Sequence, residues 1–398
     1  MSESQNQSPV TIFLTFLKLG LTAFGGPIAH IGFFRESFVK QRQWLDETTF
    51  AQLLAVCQFL PGPASSQMGF SIGLIKGGWL GALAAFIAFT LPSALLLFAF
   101  AGFAYLLDGQ LGIAIINGLK LVAVAVVAHA VWGMTQKLTP DWPRRFIAAA
   151  ALIILLLTGI ALMQLVVIAL GGLLGLCLCK ASLNDPVKDF NLPYGRNLGW
   201  LFLAIFSIFL VLSISIMGGH PTPDNVIAAF YQAGALVFGG GHVVLPLLEQ
   251  STVANGWLTT DSFLAGYGAA QAVPGPLFTL STYLGAEIDT GLAPGWTAMI
   301  ATLAIFLPGF LILLAVLPFW TKLTEFPKAA SAIAGINAAV VGLLAAALYD
   351  PIFTKGVSSW VDVLIALGGF LILAVLKRSA LWTVLFCVLA AVIVSVVI

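Results

Sequence analysis

The sequence predicts an all-α integral membrane protein with two inverted-topology repeats, about 13 spans, and broken half-helices that meet near the bilayer midplane. Three observations lead to this prediction: an extreme apolar composition, long apolar runs, and a set of matched motifs. Of 398 residues, 60% are hydrophobic and only 8% are charged, whereas a soluble domain carries about 25% charged residues. A soluble fold has too little interior to bury so many apolar side chains. The chain therefore folds mostly in lipid.

Composition and charge also exclude several classes of protein. The 17 Lys and Arg residues balance 16 Asp and Glu residues, and no basic run could hold a polyanion, so no nucleic-acid partner is expected. The polar N-terminal segment lacks the basic region of a cleaved signal peptide. None of the cysteines stands near a histidine at metal-ligand spacing, and no glycine-rich ATP cradle occurs in the sequence. We therefore expect no metal, no cofactor and no ATP-driven step.

Long apolar runs predict helical spans, because a membrane-crossing helix needs about 20 apolar residues. These runs are far longer than the roughly ten residues of a transmembrane strand, which excludes strands. The short runs 146–159 and 161–179 predict a tight helical hairpin, with one long tilted helix as the alternative. The candidate spans lie at about 11–34, 48–76, 79–106, 112–136, 146–159, 161–179, 199–217, 225–248, 261–287, 295–320, 330–350, 360–376 and 380–397.

Matched motifs indicate that the chain is duplicated. In each half, Trp-Leu is followed after four residues by Phe, after seven more by Gln and after two more by Pro-Gly-Pro. This pattern runs from Trp44 to Pro63 and again from Trp257 to Pro276. Identical gaps between Gln, Pro and Gly residues are hard to obtain from composition alone. We predict a first repeat at 1–180, a linker with one extra transmembrane helix at 181–224, and a second repeat at 225–398.

The number of spans predicts that the two repeats are inverted relative to each other. About six spans precede the linker and one follows it, so the second repeat begins after an odd number of crossings. Inverted repeats with broken helices are typical of secondary transporters. A cytoplasmic N-terminus places most Lys and Arg residues inside, as the positive-inside rule requires. Arg35, Lys40 and Arg42 conflict with this orientation unless their segment is a hairpin that fails to cross.

Glycine and proline clusters predict breaks in the apolar helices, because proline removes a backbone donor and glycine adopts conformations that end a helix. In lipid, the freed backbone groups need partners from protein, water or substrate. Each Pro-Gly-Pro suits the start of a new half-helix, whose free N–H groups and positive end bind anions. A packing kink is the alternative. We expect the two proline breaks to face each other near mid-membrane. The glycine breaks are Phe24–Pro27 and Phe238–Gly241, and the proline breaks are Pro61–Pro63 and Pro274–Pro276.

Polar side chains beside the breaks add the neutral hydrogen-bond donors that a dianion requires. The first proline break is the more polar, so we expect it to contribute more contacts. Histidines near the breaks are either structural or donors to an anion. The candidates for gating or coupling are Lys120, Arg35 and Glu36. The alternative for Lys120 is a lysine that snorkels to the membrane surface, and the alternative for Arg35 and Glu36 is a solvated loop. The candidate substrate-binding residues are Gly25, Gly26, Pro27, His30, Gln58, Pro61, Gly62, Pro63, Ser65, Ser66, Gln67, Gly239, Gly240, Gly241, His242, Gln271, Pro274, Gly275, Pro276 and Thr279.

Together these motifs resemble the chromate ion transporter family. The resemblance rests on Phe-Gly-Gly-Pro-x-x-His ending at His30, on the two Pro-Gly-Pro segments, and on Phe-Gly-Gly-Gly-His ending at His242. It covers nearly the whole chain and fits the long two-domain form. It implies a secondary transporter in the bacterial inner membrane that exports chromate, a tetrahedral dianion like sulfate, and so confers chromate resistance. The implied partners are this oxyanion and the lipid bilayer, with a homodimer left open.

Other functions stay open at the level of sequence. A carrier or channel for another small anion, such as an organic acid, would use the same inverted-repeat scaffold. A hypothesis from another class is an intramembrane enzyme or a lipid flippase. An enzyme would need a nucleophile and a base, or a cluster of carboxylates and histidines. The predicted spans hold almost no acidic residues, so an enzyme is disfavoured.

Overall fold

The computed structural model of the protein describes residues 6–24, 26–104, 109–158, 161–180, 190–216, 219–324 and 326–397. These residues form eighteen α-helices and no β-strand, which confirms the predicted all-α class. Large apolar side chains such as Leu157 (81% exposed) and Trp360 (84% exposed) lie on the surface, as contact with lipid allows. The described helices that are long and apolar enough to cross a membrane are Ala64–Phe103, Gln110–Leu138, Arg196–Ile216, Pro294–Leu323 and Lys328–Gly356.

In the first half of the chain, side-chain caps fix where two helices begin. Ser8 accepts a hydrogen bond from the N–H of Thr11, and Asp46 accepts one from the N–H of Thr49, so each supplies a partner for a first-turn amide. A π-helical turn, Glu36–Gln41, extends the second helix. The helices are α1 (Pro9–Thr22), α2 (Gly26–Arg35), α3 (Glu47–Phe59), α4 (Ala64–Ala104), α5 (Gln110–Leu138), α6 (Trp142–Thr158), α7 (Ala161–Leu178) and α8 (Arg196–Ile216).

In the second half, threonine caps play the same part at Thr222 and Thr259. Single 3-10 turns, Gly241–Val243 and Leu277–Thr279, precede the two short helices that follow the breaks. The helices are α9 (Pro223–Leu236), α10 (Val244–Thr252), α11 (Thr260–Ala270), α12 (Leu280–Glu287), α13 (Pro294–Val316), α14 (Trp320–Thr324), α15 (Pro327–Ala347), α16 (Thr354–Gly356), α17 (Trp360–Ala374) and α18 (Ala380–Val397).

Helices α1 and α2 fold back on each other. The ring of Phe16 on α1 lies 5.7 Å from the ring of Phe34 on α2 and 5.0 Å from the ring of Phe38 in the following turn. A straight helix would separate Phe16 and Phe38 by about 33 Å, at 1.5 Å per residue. The prediction of one continuous span at about 11–34 is therefore wrong. The chain reverses near Gly26, whose φ of +74° ends the helical path.

Helix α3 and the first part of α4 form a second hairpin. Cys57 on α3 interacts with Ser71 on α4. The carboxylate of Asp46, at the start of α3, interacts electrostatically with Lys76 on α4. The chain reverses at the first proline break, between the two helices. The prediction of a single span at about 48–76 is therefore also wrong. A break in a helix can reverse the chain as well as bend it.

A further reversal inside α4 separates a short arm from a long one. Gly77 and Gly78 have non-helical dihedral angles, with φ of −143° and +61°. A Cβ on Gly73 or Gly81 would collide with the other residue's carbonyl oxygen, so the two arms pack closely. The predicted boundary between two apolar runs falls at this reversal. The long arm, 79–104, is the part of α4 that is long enough to cross a bilayer.

The second half of the chain also contains two helical hairpins. Helices α9 and α10 pack together around the second glycine break, where Gly239 and Gly240 have φ of +76° and +148°. Near the start of α11, the hydroxyl of Ser262 lies 3.0 Å from the hydroxyl of Tyr283 in the middle of α12 and 3.2 Å from a carboxylate oxygen of Glu287 at the end of α12. These two helices therefore run side by side around the second proline break. Each half thus has two hairpins followed by a long helix.

The remaining helices pack around these hairpins. Helix α15 approaches α7 closely, because a Cβ on Gly335 would collide with the carbonyl oxygen of Gly171. The side chain of Arg144 donates a hydrogen bond to the carbonyl oxygen of Lys180 at 3.5 Å. The outer ends of α6 and α7 therefore meet, as the predicted hairpin requires. The connecting residues 159–160 lie outside the described residues.

The segment before α8 contacts both halves of the chain. The hydroxyl of Tyr194 donates to the carbonyl oxygen of Leu314 at 2.7 Å, and its ring lies 5.3 Å from the ring of Trp79. This contact joins α13 to the start of the long arm of α4. Most of the predicted linker, residues 181–189, lies outside the described residues.

Candidate functional site

Each proline break is hydrogen-bonded to the other half of the chain. The backbone N–H of Gly62 donates to the carbonyl oxygen of Val237 at 2.7 Å, and the N–H of Gly275 donates to the carbonyl oxygen of Ala23 at 3.0 Å. The donors occupy matched positions in the two Pro-Gly-Pro motifs, and each acceptor directly precedes a Phe-Gly-Gly segment. The two halves thus exchange one donor and one acceptor each in a reciprocal pair of contacts.

The same glycines pack against matched positions on the long helices. Gly62 has a φ of +118°, and a Cβ there would lie 2.9 Å from the Cα of Gly309. Gly275 has a φ of +103°, and a Cβ there would lie 2.8 Å from the hydroxyl oxygen of Ser93. Ser93 and Gly309 each follow a proline in a Leu-Pro pair. The backbone N–H groups of Gly62 and Gly275 already donate to protein carbonyls. Glycine is therefore needed at these positions because the two halves approach each other closely.

Two of the predicted donors already donate to the protein backbone. The side-chain nitrogen of the fully buried Gln67 lies 2.9 Å from the carbonyl oxygens of both Pro61 and Gly309, and donates to each. It therefore bridges the first proline break and α13. The hydroxyl of Thr279 donates to the carbonyl oxygen of Pro276 at 2.7 Å. Neither side chain can donate to a substrate without giving up these bonds.

Two other predicted donors are buried without a partner in the described part of the chain. They are the hydroxyl oxygen of Ser66, on the first turn of α4, and the side-chain nitrogen of Gln271, at the end of α11. A buried polar atom without a hydrogen bond costs about 1–3 kcal/mol. An anion that accepted hydrogen bonds from these groups would remove that cost. Ser66 and Gln271 are therefore two predicted side chains with a buried donor that is free to serve a ligand.

The two helix starts after the proline breaks differ. Helix α4 begins directly at Ala64, and Ser65 and Ser66 in its first turn are each 3% exposed. The first N–H groups of a helix have no acceptor within it, so α4 presents a buried positive end. In the second half a 3-10 turn comes first, and the N–H of Thr279 donates to the carbonyl oxygen of Pro276 at 3.0 Å. The first break thus offers more free backbone donors.

The two predicted histidines have different surroundings. A ring nitrogen of His30, Nε2, lies 3.1 Å from the carbonyl oxygen of Ala23, and the buried ring packs edge-on against Phe89 at 5.3 Å. His30 therefore supports the first glycine break. The Nδ1 atom of the half-buried His242 lies 2.7 Å from the hydroxyl of Tyr267, which is fully buried. This pair lies beside the second glycine break.

The other predicted residues divide by exposure. Gln58 is exposed, so the structure does not bring it to the buried polar atoms of the breaks. The prolines Pro61, Pro63, Pro274 and Pro276 are buried, as is Gly241, whereas Gly26, Gly239 and Gly240 are half-buried. Gly25 and the side chain of Pro27 lie outside the described residues.

The charged candidates form ion pairs away from the breaks. The Lys120 ammonium lies 3.0 Å from a carboxylate oxygen of Asp261, and the two side chains are 8% and 64% exposed. The Arg35–Glu47 pair at 2.6 Å is exposed, and such pairs contribute about 0–1 kcal/mol. A hydrogen bond from Lys40 holds the pKa of the exposed Glu36 below its usual value.

Four buried polar atoms without hydrogen-bond or ion-pair partners in the described chain were not among the predicted site residues. They belong to Thr90, Gln232, Trp320 and Asn337. Asn337 lies beside the second glycine break, because a Cβ on Gly239 would lie 3.4 Å from its side-chain oxygen. The available sequence signal was the single amide side chain of α15, in a stretch that is otherwise apolar from Ala332 to Ala347.

A groove of about 330 Å³ lies elsewhere, between the long arm of α4 and α13. Its walls are almost entirely apolar, so it offers no site for an anion. Among the described residues, no group of three or more His, Cys, Asp or Glu side chains could hold a metal ion. The buried polar atoms at the breaks are therefore the candidate site.

Long apolar helices, interrupted by hairpin turns with buried polar atoms, define a multi-pass membrane transport protein. The family model described as chromate transporter matches residues 10–176 and again residues 225–393. The chain belongs to the chromate transporter family, which confirms the resemblance seen in its motifs. Members of this family are transport proteins and not enzymes.

Three relatives match most of the chain. It is 30% identical to a probable chromate transport protein of Synechococcus elongatus, over 87% of this chain and 88% of the relative. It is 28% identical to a chromate transport protein of Pseudomonas aeruginosa, over 85% and 80% of the two chains. It is 26% identical to one of Cupriavidus metallidurans, over 85% and 81%. No solved structure matches the chain.

Proposed function

We propose that this protein is a secondary transporter that exports chromate, or a sulfate-like tetrahedral oxyanion, across the bacterial inner membrane and so confers chromate resistance. Relatives named as chromate transport proteins support the substrate. The observation that carries the mechanism is the reciprocal pair of hydrogen bonds, Gly62 to Val237 and Gly275 to Ala23. It relates the breaks of one half to those of the other in a two-fold manner, as inverted repeats require.

In this proposal, both hairpins of the first half enter the membrane from one face. The N–H of Gln7 donates to the carbonyl oxygen of Lys76 at 2.7 Å, so α1 begins where the short arm of α4 ends. Asp46 interacts with Lys76, so α3 begins at the same face. The proline and glycine breaks of this half then lie at the inner ends of the hairpins, toward the bilayer midplane.

The hairpins of the second half enter from the opposite face. The long arm of α4 crosses the bilayer, and α5 begins beyond it at Gln110, which donates to the carbonyl oxygen of Ser395 at 3.0 Å. Lys120, three turns further along α5, pairs with Asp261 at the start of α11. Helix α11 therefore begins nearer to this face. One crossing by α8 between the halves gives the odd number that inverts the second repeat, 225–398, relative to the first, 1–180.

A cytoplasmic N-terminus agrees with these contacts. With α1 and α2 folded back, Arg35, Lys40 and Arg42 join Lys76 on the face that carries the N-terminus. Their conflict with the positive-inside rule disappears, because the segment that holds them does not cross. In this proposal Lys355, which follows α15, lies toward the opposite face, because a Cβ on the next residue, Gly356, would lie 3.6 Å from the carbonyl oxygen of Lys120.

The transported anion would bind between the halves. The buried start of α4 supplies free N–H groups and its positive end, and Ser66 and Gln271 supply side-chain donors. Each inter-half backbone bond contributes only about 0.5–1.5 kcal/mol net. A rocking motion of the halves can therefore exchange these bonds at modest cost and open the site to each face in turn. Neutral donors also allow release at each cycle.

Uptake by inverted membrane vesicles tests this function. We expect saturable uptake of labelled chromate. Sulfate should inhibit this uptake, an imposed pH gradient should change its rate, and unlabelled chromate inside the vesicles should accelerate it. Vesicles without the protein are the control. Uptake that does not saturate and shows no acceleration would indicate a channel. Saturable uptake of a different anion, with none of chromate or sulfate, would indicate another substrate. Native mass spectrometry of the purified protein distinguishes a monomer from the homodimer.

A further inference from the structure

The second glycine break carries a hydrogen-bonded pair of polar side chains. The Nδ1 atom of His242 lies 2.7 Å from the hydroxyl of Tyr267. Tyr267 is fully buried on α11, and His242 lies in the 3-10 turn directly after the glycines. In the described chain, His242 is the one hydrogen-bond partner of this hydroxyl. A buried phenol is costly to hold in an otherwise apolar core unless its hydroxyl has a hydrogen-bond partner.

The hydrogen bond can be assigned a direction. A buried phenol needs an acceptor for its O–H, and the Nδ1 atom of His242 is the acceptor within reach. If Nδ1 carried the hydrogen instead, the O–H of Tyr267 would be left without a partner. The hydroxyl therefore donates to Nδ1, and the neutral ring carries its hydrogen on Nε2. His242 then offers a fixed N–H donor.

A second amide lies on the other side of the same break. The side-chain oxygen of Asn337 is buried without a partner and would lie 3.4 Å from a Cβ on Gly239. The two ends of an asparagine amide are assigned from their hydrogen bonds. With no bond in the described chain to fix it, this amide can turn its NH₂ group toward a ligand. His129 is the titratable neighbour that acts on His242, and no carboxylate does so among the described residues.

We propose that the second glycine break is an oxyanion subsite in which His242 Nε2–H and the Asn337 amide donate to the anion, and in which Tyr267 is a positioning residue that fixes the His242 tautomer. This inference rests on the proposed function, because it assumes an oxyanion substrate. It adds donors to those at the proline breaks. Gln67 at the first proline break is committed to the backbone, whereas His242 Nε2 and the Asn337 amide, like Ser66 and Gln271, have no hydrogen-bond partner in the described chain.

Nitrogen NMR tests the tautomer without relying on transport. The chain has four histidines, so ¹⁵N-histidine labelling of the protein in nanodiscs gives few signals, and His242→Gln identifies those of His242. We expect a bare Nδ1 and a protonated Nε2 in the unchanged protein, and a mixture of tautomers in Tyr267→Phe. Added sulfate should shift the Nε2 signal. A protonated Nδ1 in the unchanged protein, or no effect of sulfate, overturns the proposal.

Transport kinetics test the positioning role. Asn337→Leu should raise the KM for the oxyanion roughly tenfold, as expected for one lost hydrogen bond to a charged group, while the maximal rate changes little. Tyr267→Phe should raise the KM less, because His242 then still carries its hydrogen on Nε2 for part of the time. Tyr231→Phe is the matched control, because its buried hydroxyl donates to the carbonyl oxygen of Phe206 at 3.0 Å. Asn337→Gln should recover part of the loss.

The two proposals fail in different ways. Normal KM values in both variants, with chromate uptake intact, would overturn the subsite and leave the proposed function standing. A sulfate-dependent shift of His242 in a protein that moves no oxyanion would overturn the transport function and support the subsite. If sulfate does not shift the His242 signal and the protein takes up no oxyanion, both proposals are overturned.

Discussion

The backbone N–H of Gly62 donates a hydrogen bond to the carbonyl oxygen of Val237, 175 residues further along the chain, at a distance of 2.7 Å. The matched residues Gly275 and Ala23 repeat this contact from the opposite half. Backbone bonds of this kind are unusual between helical segments, whose amides normally bond within their own helix. They form here because each break frees one donor or one acceptor, and the other half supplies its partner.

Substitution of Gly62 is expected to stop transport while the protein still folds. A Cβ at Gly62 would lie 2.9 Å from the Cα of Gly309, so the first proline break could not reach Val237. Gly62→Ala should therefore lose most chromate uptake. Gly256→Ala is the control, because Gly256 has a φ of +74° but open space around it. Equal uptake by the two variants would show that the close approach of the halves is not needed.

Replacement of Gln67 is expected to destabilise the first proline break. Gln67→Leu removes the hydrogen bonds to Pro61 and Gly309, and the buried carbonyl of Pro61, which lies in the break outside any helix, loses its partner at a cost of about 1–3 kcal/mol. The midpoint of thermal unfolding in detergent should fall by several degrees. Gln110→Leu is the control, because the bond from Gln110 to Ser395 is exposed. An unchanged midpoint for Gln67→Leu would argue against the bridging role.

Fixed charge is expected to matter less than the neutral donors. Ser65→Ala with Ser66→Ala should weaken uptake roughly tenfold or more, because about 1.4 kcal/mol corresponds to a factor of ten. Lys120→Gln should be milder, because its partner Asp261 is 64% exposed and stays hydrated without it. Side-by-side uptake assays compare the two. Complete loss in the Lys120 variant, with normal uptake in the double serine variant, would assign the anion to fixed charge.

The folded-back first hairpin makes a prediction about sidedness. Arg42→Cys should be protected from a membrane-impermeant maleimide in intact cells, and Lys355→Cys should be labelled. The background variant replaces the exposed Cys177 by Ser, while Cys57 and Cys387 are buried. Labelling of Arg42→Cys from outside would place the turn after α2 on the external face. It would restore the prediction of a full crossing over residues 11–34.

The sequence alone determined the class of this protein and the places where its helices end. An apolar composition leaves no soluble fold, and glycine and proline interrupt a helix wherever they cluster. The identical gaps between the Trp-Leu and Pro-Gly-Pro motifs indicated the duplication. The membership of the chromate transporter family followed from the same residues.

The tertiary structure decided the direction of the chain after each break and the use of each donor. A Gly-Gly-Pro segment permits a bend or a reversal equally well, and the packing of Phe16 against Phe38 selects the reversal. Gln67 and Ser66 are both polar residues beside a proline break. Gln67 donates to the carbonyl oxygen of Gly309, 242 residues further along the chain, whereas the hydroxyl of Ser66 has no partner in the described chain. Local sequence sets backbone dihedral preferences, whereas hydrogen-bond partners across the fold depend on distances that only the packed helices fix.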